Sequence, residues 1–258
     1  MEGSHLFERE TVWYPFAFLG INHPQTAISV STVTNTWVAL GVIAILIYVG
    51  RRFLKKENSL GQYMIISFIR SFIQMIEQST GTFTYRYFAF ITSLFLYIIC
   101  CNWVALIPTI EEPTKDLNTT LALGIITFFY IQKEMIKIHG LKTYLKDYFA
   151  PVNIFFPLNI IAGLIMLPLK VLGEVASVIS ISFRLFGNIF GGSIITTIFQ
   201  QGVSGSFILN LVGTLFGINL ILIGFFILFE GFLQAFVFSI LSLTNIAMAV
   251  QIEEHEEH

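Results

Sequence analysis

Residues 167–199 read LPLKVLGEVASVISISFRLFGNIFGGSIITTIF, a membrane-grade stretch that holds one arginine, Arg184, deep inside it. Counting outward from Arg184, no Lys, Arg, Asp or Glu appears until Glu174 on one side and Glu230 on the other. Ten helical residues rise about 15 Å, half the thickness of a hydrocarbon core. If the stretch spans a membrane, Arg184 sits near mid-depth. A guanidinium stays protonated there, and exposing it to lipid costs several kcal/mol. The position must therefore face protein, water or a partner charge. Snorkelling serves residues near helix ends, whereas apolar sequence runs well over a turn to both sides of Arg184. A structural ion pair stays open beside the stronger reading, a charge used in transport.

The rest of the composition agrees with a membrane setting. Of 258 residues, 55% are hydrophobic and 12% charged, and mean hydropathy is +0.78. Soluble domains carry about 25% charged residues, so this is an all-α integral membrane protein. A net charge of −2 and the absence of a basic tract or zinc-like cluster argue against nucleic acid. Cys100 and Cys101, adjacent in an apolar run, read as buried thiols. Glu2, Glu8, Arg9 and Glu10 at the start do not resemble a cleaved secretory signal.

A single membrane domain is expected over residues 1–258, with an external leader (1–32), a transmembrane region (33–250) and a cytoplasmic tail (251–258). The first span, Val33 to Gly50, ends at Arg51, Arg52, Lys55 and Lys56, cations that mark the cytoplasmic side and leave the N-terminus outside. Residues 60–80 place Met64, Phe68, Phe72 and Met75 or Ile76 at helical spacing among polar residues, the pattern of an interfacial helix. Spans follow at Tyr87–Pro108 and Leu117–Ile136, the latter again with inner cations, Lys133, Lys137, Lys142 and Lys146. Two long apolar segments, Leu167–Phe199 and Phe207–Val250, complete about five transmembrane helices. Both exceed the roughly 20 residues of a perpendicular span, so both should be strongly tilted, as a bulky protein neighbour would require. Glycines such as Gly187, Gly191, Gly192, Gly224 and Gly231 allow close packing, or close approach of a moving partner. The EEHEEH tail reads as a solvated end, not a metal site.

Within the last pair, Ser180, Arg184 and Asn188 share one helix face, and Glu230 and Gln234 share another. Antiparallel helices can set Arg184 level with Gln234 and Asn188 level with Glu230, giving one polar seam. Such a seam suits proton or small-cation transfer. Arg184 cannot relay a proton, but it can hold a mobile carboxylate in its charged form and block a continuous ion wire. Glu230 can protonate and release, while Asn188 and Gln234 can order water. Glu174 marks an inner aqueous vestibule or else pairs with Lys170 at i and i+4. No phosphate-binding loop, HExxH motif or repeated half is visible. One Arg and one nearby Glu are too few for a complete relay, so the missing carboxylate belongs to another subunit.

At these residues the chain resembles subunit a of the F-type ATP synthase. The similarity rests on SISFRLFGNIFGG (180–192), extended back by EVASVISISFR (174–184), on PTKDLNTTLALG (113–124) and on LQAFVFSILSLTNI (233–246). The resemblance implies a non-catalytic stator that offers two offset proton half-channels to a rotating ring of c subunits. It further implies contact with the b subunits of the peripheral stalk and the remainder of the synthase, in a bacterial plasma membrane and without a cofactor. Arg184 would forbid a short-circuit between the half-channels, Asn188 and Gln234 would be its polar neighbours, and Glu174 would belong to the inner channel. The family commonly has an ionisable residue where this chain has Ser193, and another at Ile227. Glu230, nearer Arg184, is expected to take over the titratable role. Ser177, Val178 and Asn245 also depart from the family pattern, near the inner end. Sodium coupling stays open, since ion choice in the family resides largely in the c ring. The rival readings are a self-contained ion-coupled transporter or channel, which would need a second intramembrane acid or a repeated half, and a structural membrane scaffold.

Overall fold

The computed structural model describes residues 12–14, 28–56, 59–107, 110–149, 156–204, 217, 221–222 and 224–251. Apart from a two-residue antiparallel pairing of β1 (Val12–Trp13) with β2 (Ile28–Ser29), the described chain is helical. The helices are α1 (Val30–Leu54), α2 (Leu60–Thr80), α3 (Tyr85–Trp103), α4 (Leu117–Phe149) and α5 (Phe156–Ser204), then a π-helical segment (Gly224–Glu230) that leads into α6 (Gly231–Gln251). Most of the expected leader, the tail beyond Gln251, and much of the 207–223 stretch lie outside the described residues.

Four described segments are long and apolar enough to cross a membrane: Val30–Leu54, Tyr85–Leu106, Met166–Gly202 and Gly224–Val250. The expected fifth, Leu117–Ile136, is helical but is not among them. Its apolar run is bounded by Asn118, Thr119 and Thr120 at one end and by Gln132, Lys133 and Glu134 at the other. Neighbouring helices cover that polarity. Thr120, Thr127 and Glu134, seven residues apart, are all buried. Glu134, 2% exposed, meets Arg86 Nη1 at 3.4 Å and accepts a hydrogen bond from Tyr87 Oη, so its charge is paired across to α3. Beside it, the rings of Phe90 and Tyr130 stack with centroids 3.8 Å apart.

The amphipathic reading of residues 60–80 holds as a helix. Ser59 caps its start by accepting from the Gln62 N–H, and Gly81, at φ 73°, ends it in the left-handed region that glycine adopts without strain. Its apolar stripe packs inward: Phe72 stands 4.7 Å from Phe68 and 5.2 Å from Phe95 of α3. The core this starts continues through Ile91 and Ile98 of α3, Leu185 and Ile189 of α5, and Phe238, Leu243 and Ile246 of α6.

Helix α5 runs for 49 residues, about 73 Å at 1.5 Å per residue. That is more than twice a hydrocarbon core. Pro168 lies inside it and withdraws one backbone donor. Helix α4 packs against α5, and Gly124 shows how closely: a methyl group there would run into Ser182 Oγ, with the Val178 carbonyl 3.3 Å away. Small residues at helix contacts give this approach in membranes, where no hydrophobic force drives helices together.

Candidate functional site

One face of α5 is buried and the opposite face is open. Ile181, Ser182, Leu185 and Ile189 point into the core, following the i, i+4, i+8 repeat of a helix. Ser180, Phe183, Arg184 and Gly187 lie on the exposed side, and a methyl group built on Gly187 or Gly191 would meet nothing within 4 Å. Arg184 makes no hydrogen bond or ion pair with any of the described residues. The uncompensated cation thus stands on an open apolar surface flanked by glycines.

Helices α5 and α6 meet antiparallel: Asn188 pairs with Gln234, while Gly192, further along α5, packs on Phe226, earlier in the second segment. The expected register is corrected here. Asn188 Nδ2 donates to Gln234 Oε1 at 2.8 Å, not to Glu230. Side chains lean toward their own helix N-terminus, so in an antiparallel pair the tips of Asn188 and Gln234 cross toward each other. Gln234 is 4% exposed while Asn188 is exposed, so the bond is half-buried. Glu230, half-buried, ends the π-helical segment and has no hydrogen bond or ion pair among the described residues. The expected continuous seam is therefore a half-buried amide pair, with Arg184 and Ser180 on the open face beside it.

Two cavities meet α5 to either side of Arg184. One, toward the start of α5 and termed inner after the side expected for it, is about 440 Å³ and is lined by Lys170, Glu174, Ser177 and Ile181 of α5 with Gln132 and Asn245. The other, toward the end of α5 and termed outer in the same way, is about 190 Å³ and is lined by Asn188, Ser193 and Thr197 of α5 with Asn102, Glu111, Glu112 and Ile227. From Ile181 to Asn188 is seven residues, about 10 Å of helix, and Arg184 lies midway. A further outer cavity of about 340 Å³ runs between Thr32 and Asn35 of α1, the 111–116 turn and Phe186. In that turn, burial holds the Glu112 carboxyl above its usual range, opposed by its own backbone N–H and by Lys115, and aided by Glu111. Asp116 accepts from Thr32 Oγ1 at 3.0 Å. No group of three metal-ligating side chains occurs among the described residues.

Sequence reasoning missed the support of the second helix. A π turn passes each N–H to the fifth carbonyl back in place of the fourth, so one carbonyl is skipped where it gives way to α-helix. In hydrocarbon no water is at hand to satisfy such a group. Two α3 side chains supply donors: Trp103 Nε1 to the Leu228 carbonyl at 3.2 Å, and Asn102 Nδ2 to the Gly231 carbonyl at 2.8 Å. Asn102, 1% exposed, is itself oriented by Thr114 Oγ1, which donates to its Oδ1 at 2.7 Å. Gly231 lets α3 come this close, since a methyl group there would stand 3.0 Å from Asn102 Cβ. The available signal was Asn102 itself, a lone amide inside an apolar span.

A family model described as ATP synthase A chain matches residues 33–247. Among curated proteins, the ATP synthase subunit a of Moorella thermoacetica is 31% identical over 217 residues, which cover 84% of this chain and 89% of that protein. That of Aliarcobacter butzleri is 33% identical over 247 residues, 94% of this chain and 98% of its own length. That of Syntrophobacter fumaroxidans is 32% identical over 222 residues, 85% and 84% respectively. A multi-pass helical chain with a cation between two cavities that has no partner among the described residues, matched to that model over most of its length, belongs to the ATP synthase A chain family: it is a non-catalytic, proton-translocating stator subunit of the synthase's membrane part.

Proposed function

We propose that the inner and outer cavities are the two proton half-channels of this stator, and that Arg184 is the fixed charge separating them. The observation that carries this reading is the position of Arg184, on the open face of α5, without a partner among the described residues, midway between the two cavities. A guanidinium left to lipid would cost several kcal/mol, so its counter-charge comes from outside the chain. The open face around it, with Ser180, Gly187 and Gly191, suits the close passage of a partner helix that carries a carboxylate, such as a rotating ring of c subunits. A proton arriving by the outer cavity would neutralise that carboxylate, and one leaving by the inner cavity would pass Glu174. Arg184 would repel any proton moving directly between them.

In the same reading Glu230 is the stator's titratable group in the outer half, Asn188 and Gln234 fix the wall between the routes, and Ser193 lines the outer route without titrating. The first half of α4 serves as a fifth span whose polar residues are covered by protein, and α5 crosses at a strong tilt. The cationic end of α1, at Arg51 and Arg52, faces the cytoplasm, with the N-terminus outside and the C-terminus inside a bacterial plasma membrane. The c ring, the b subunits and the rest of the synthase are the partners, with protons as the coupling ion. The test is Arg184→Ala in membrane vesicles, with assembly of the complex checked by co-purification. The expected outcome is assembled complex without proton-driven ATP synthesis; synthesis at the wild-type rate would refute the assignment.

A further inference from the structure

The backbone around Glu230 is held from outside its own helix. Leu228 and Gly231, on either side of it, have their carbonyls bonded by side chains of α3, Trp103 and Asn102. Phe226 packs on Gly192 of α5, Phe226 and Ile227 line the outer cavity, and Gln234 bonds Asn188.

We infer that Asn102 and Trp103, with Thr114 orienting Asn102, are positioning residues: they maintain the π turn and so fix where Glu230 stands on the proton route. This rests on the relay role proposed for Glu230. The charged and titratable groups near the π turn are Arg184 of α5, Cys100 and Cys101 of α3, and Glu111, Glu112 and Lys115, which line the outer cavity with Phe226 and Ile227; α6 carries no charged residue. The clamp variants alter none of these side chains, so a displaced pH profile reports on where Glu230 stands among them.

The experiment uses the assembled synthase in inverted vesicles and measures ATP-driven acidification against pH. Asn102→Leu keeps the side chain's bulk and removes the donor; Thr114→Val removes only the bond that orients Asn102, and serves if the first variant does not assemble. Glu230→Gln is run beside them. Asn102→Leu is expected to lower pumping about tenfold and to displace the pH profile, with a smaller displacement in the same direction for Thr114→Val. Normal pumping in Glu230→Gln would sink the relay role and the positioning role with it. Loss in Glu230→Gln together with an unmoved pH profile in both clamp variants, whatever their rates, would sink the positioning role alone.

Discussion

The bond between Asn188 and Gln234 joins the two helices beside Arg184, and its removal has a calculable effect. Asn188→Leu takes away the donor at 2.8 Å and leaves the amide oxygen of Gln234, a residue 4% exposed, without its partner. A hydrogen bond between membrane helices contributes about 0.6–2 kcal/mol, and a buried group left without its partner costs about 1–3 kcal/mol. Taking about 1.4 kcal/mol, the expected loss is about tenfold in whatever equilibrium or rate depends on the helix pairing. Replacing both partners, in Asn188→Leu with Gln234→Leu, removes the orphaned amide and should restore most of the helix contact. The assay has two readings: the yield of assembled complex after mild heating, and proton-driven ATP synthesis in vesicles at equal complex content. The single variant should lose on both. The double variant should recover assembly yet still synthesise poorly, because no amide remains to order water next to Arg184. Wild-type values on both readings for the single variant would refute the reasoning, since no bond of consequence would then join these helices.

Three further outcomes follow from the packing and charge of the fold. Arg86→Leu strands the carboxylate of Glu134, 2% exposed, with only Tyr87 to bond it; because Arg86 is itself half-exposed, the cost is about 2 kcal/mol, below the 3–5 of a fully buried pair, and it should appear as a lowered thermal midpoint of the assembled complex. Gly124→Ala forces a methyl group against Ser182 Oγ, so complex yield should fall, and adding Ser182→Ala should raise it again; no recovery would mean that the Val178 carbonyl is the obstacle. Glu112 has a folded-state pKa raised by burial, so its contribution to stability is full below the unfolded value and is lost as pH rises through the raised folded value; Glu112→Gln should flatten the pH dependence of complex stability in that window and stabilise the complex at neutral pH, as thermal melts at stepped pH would show.

The parts of the fold that depend on local sequence were readable before the structure. Apolar length located α1, α3 and α5, with a cationic flank at the end of α1, and the spacing of Phe68, Phe72 and Ile76 located α2. Arg184 stood out because its cost in lipid does not depend on the fold, and Asn188 and Gln234 because amides in apolar helices need partners. What stayed hidden depends on tertiary contact. Thr120, Thr127 and Glu134 look too polar for a buried helix until α5, α6 and the Arg86 and Tyr87 side chains of α3 are seen to pack against α4. The π turn leaves no periodic trace, and the side chains that bond its backbone lie on α3, more than a hundred residues earlier. The register of Asn188 likewise depends on how side chains lean, which residue numbering alone does not convey.

The most direct measurement is a structure of the assembled membrane sector, read at one distance: from the Arg184 guanidinium to the nearest carboxylate of any neighbouring subunit. The proposed function predicts a rotor carboxylate within the roughly 4–6 Å over which one charge holds another in its ionised form, with the two cavities opening to opposite sides of the pair. A guanidinium turned inward against its own helices, with lipid or unrelated protein on the open face of α5, would contradict it.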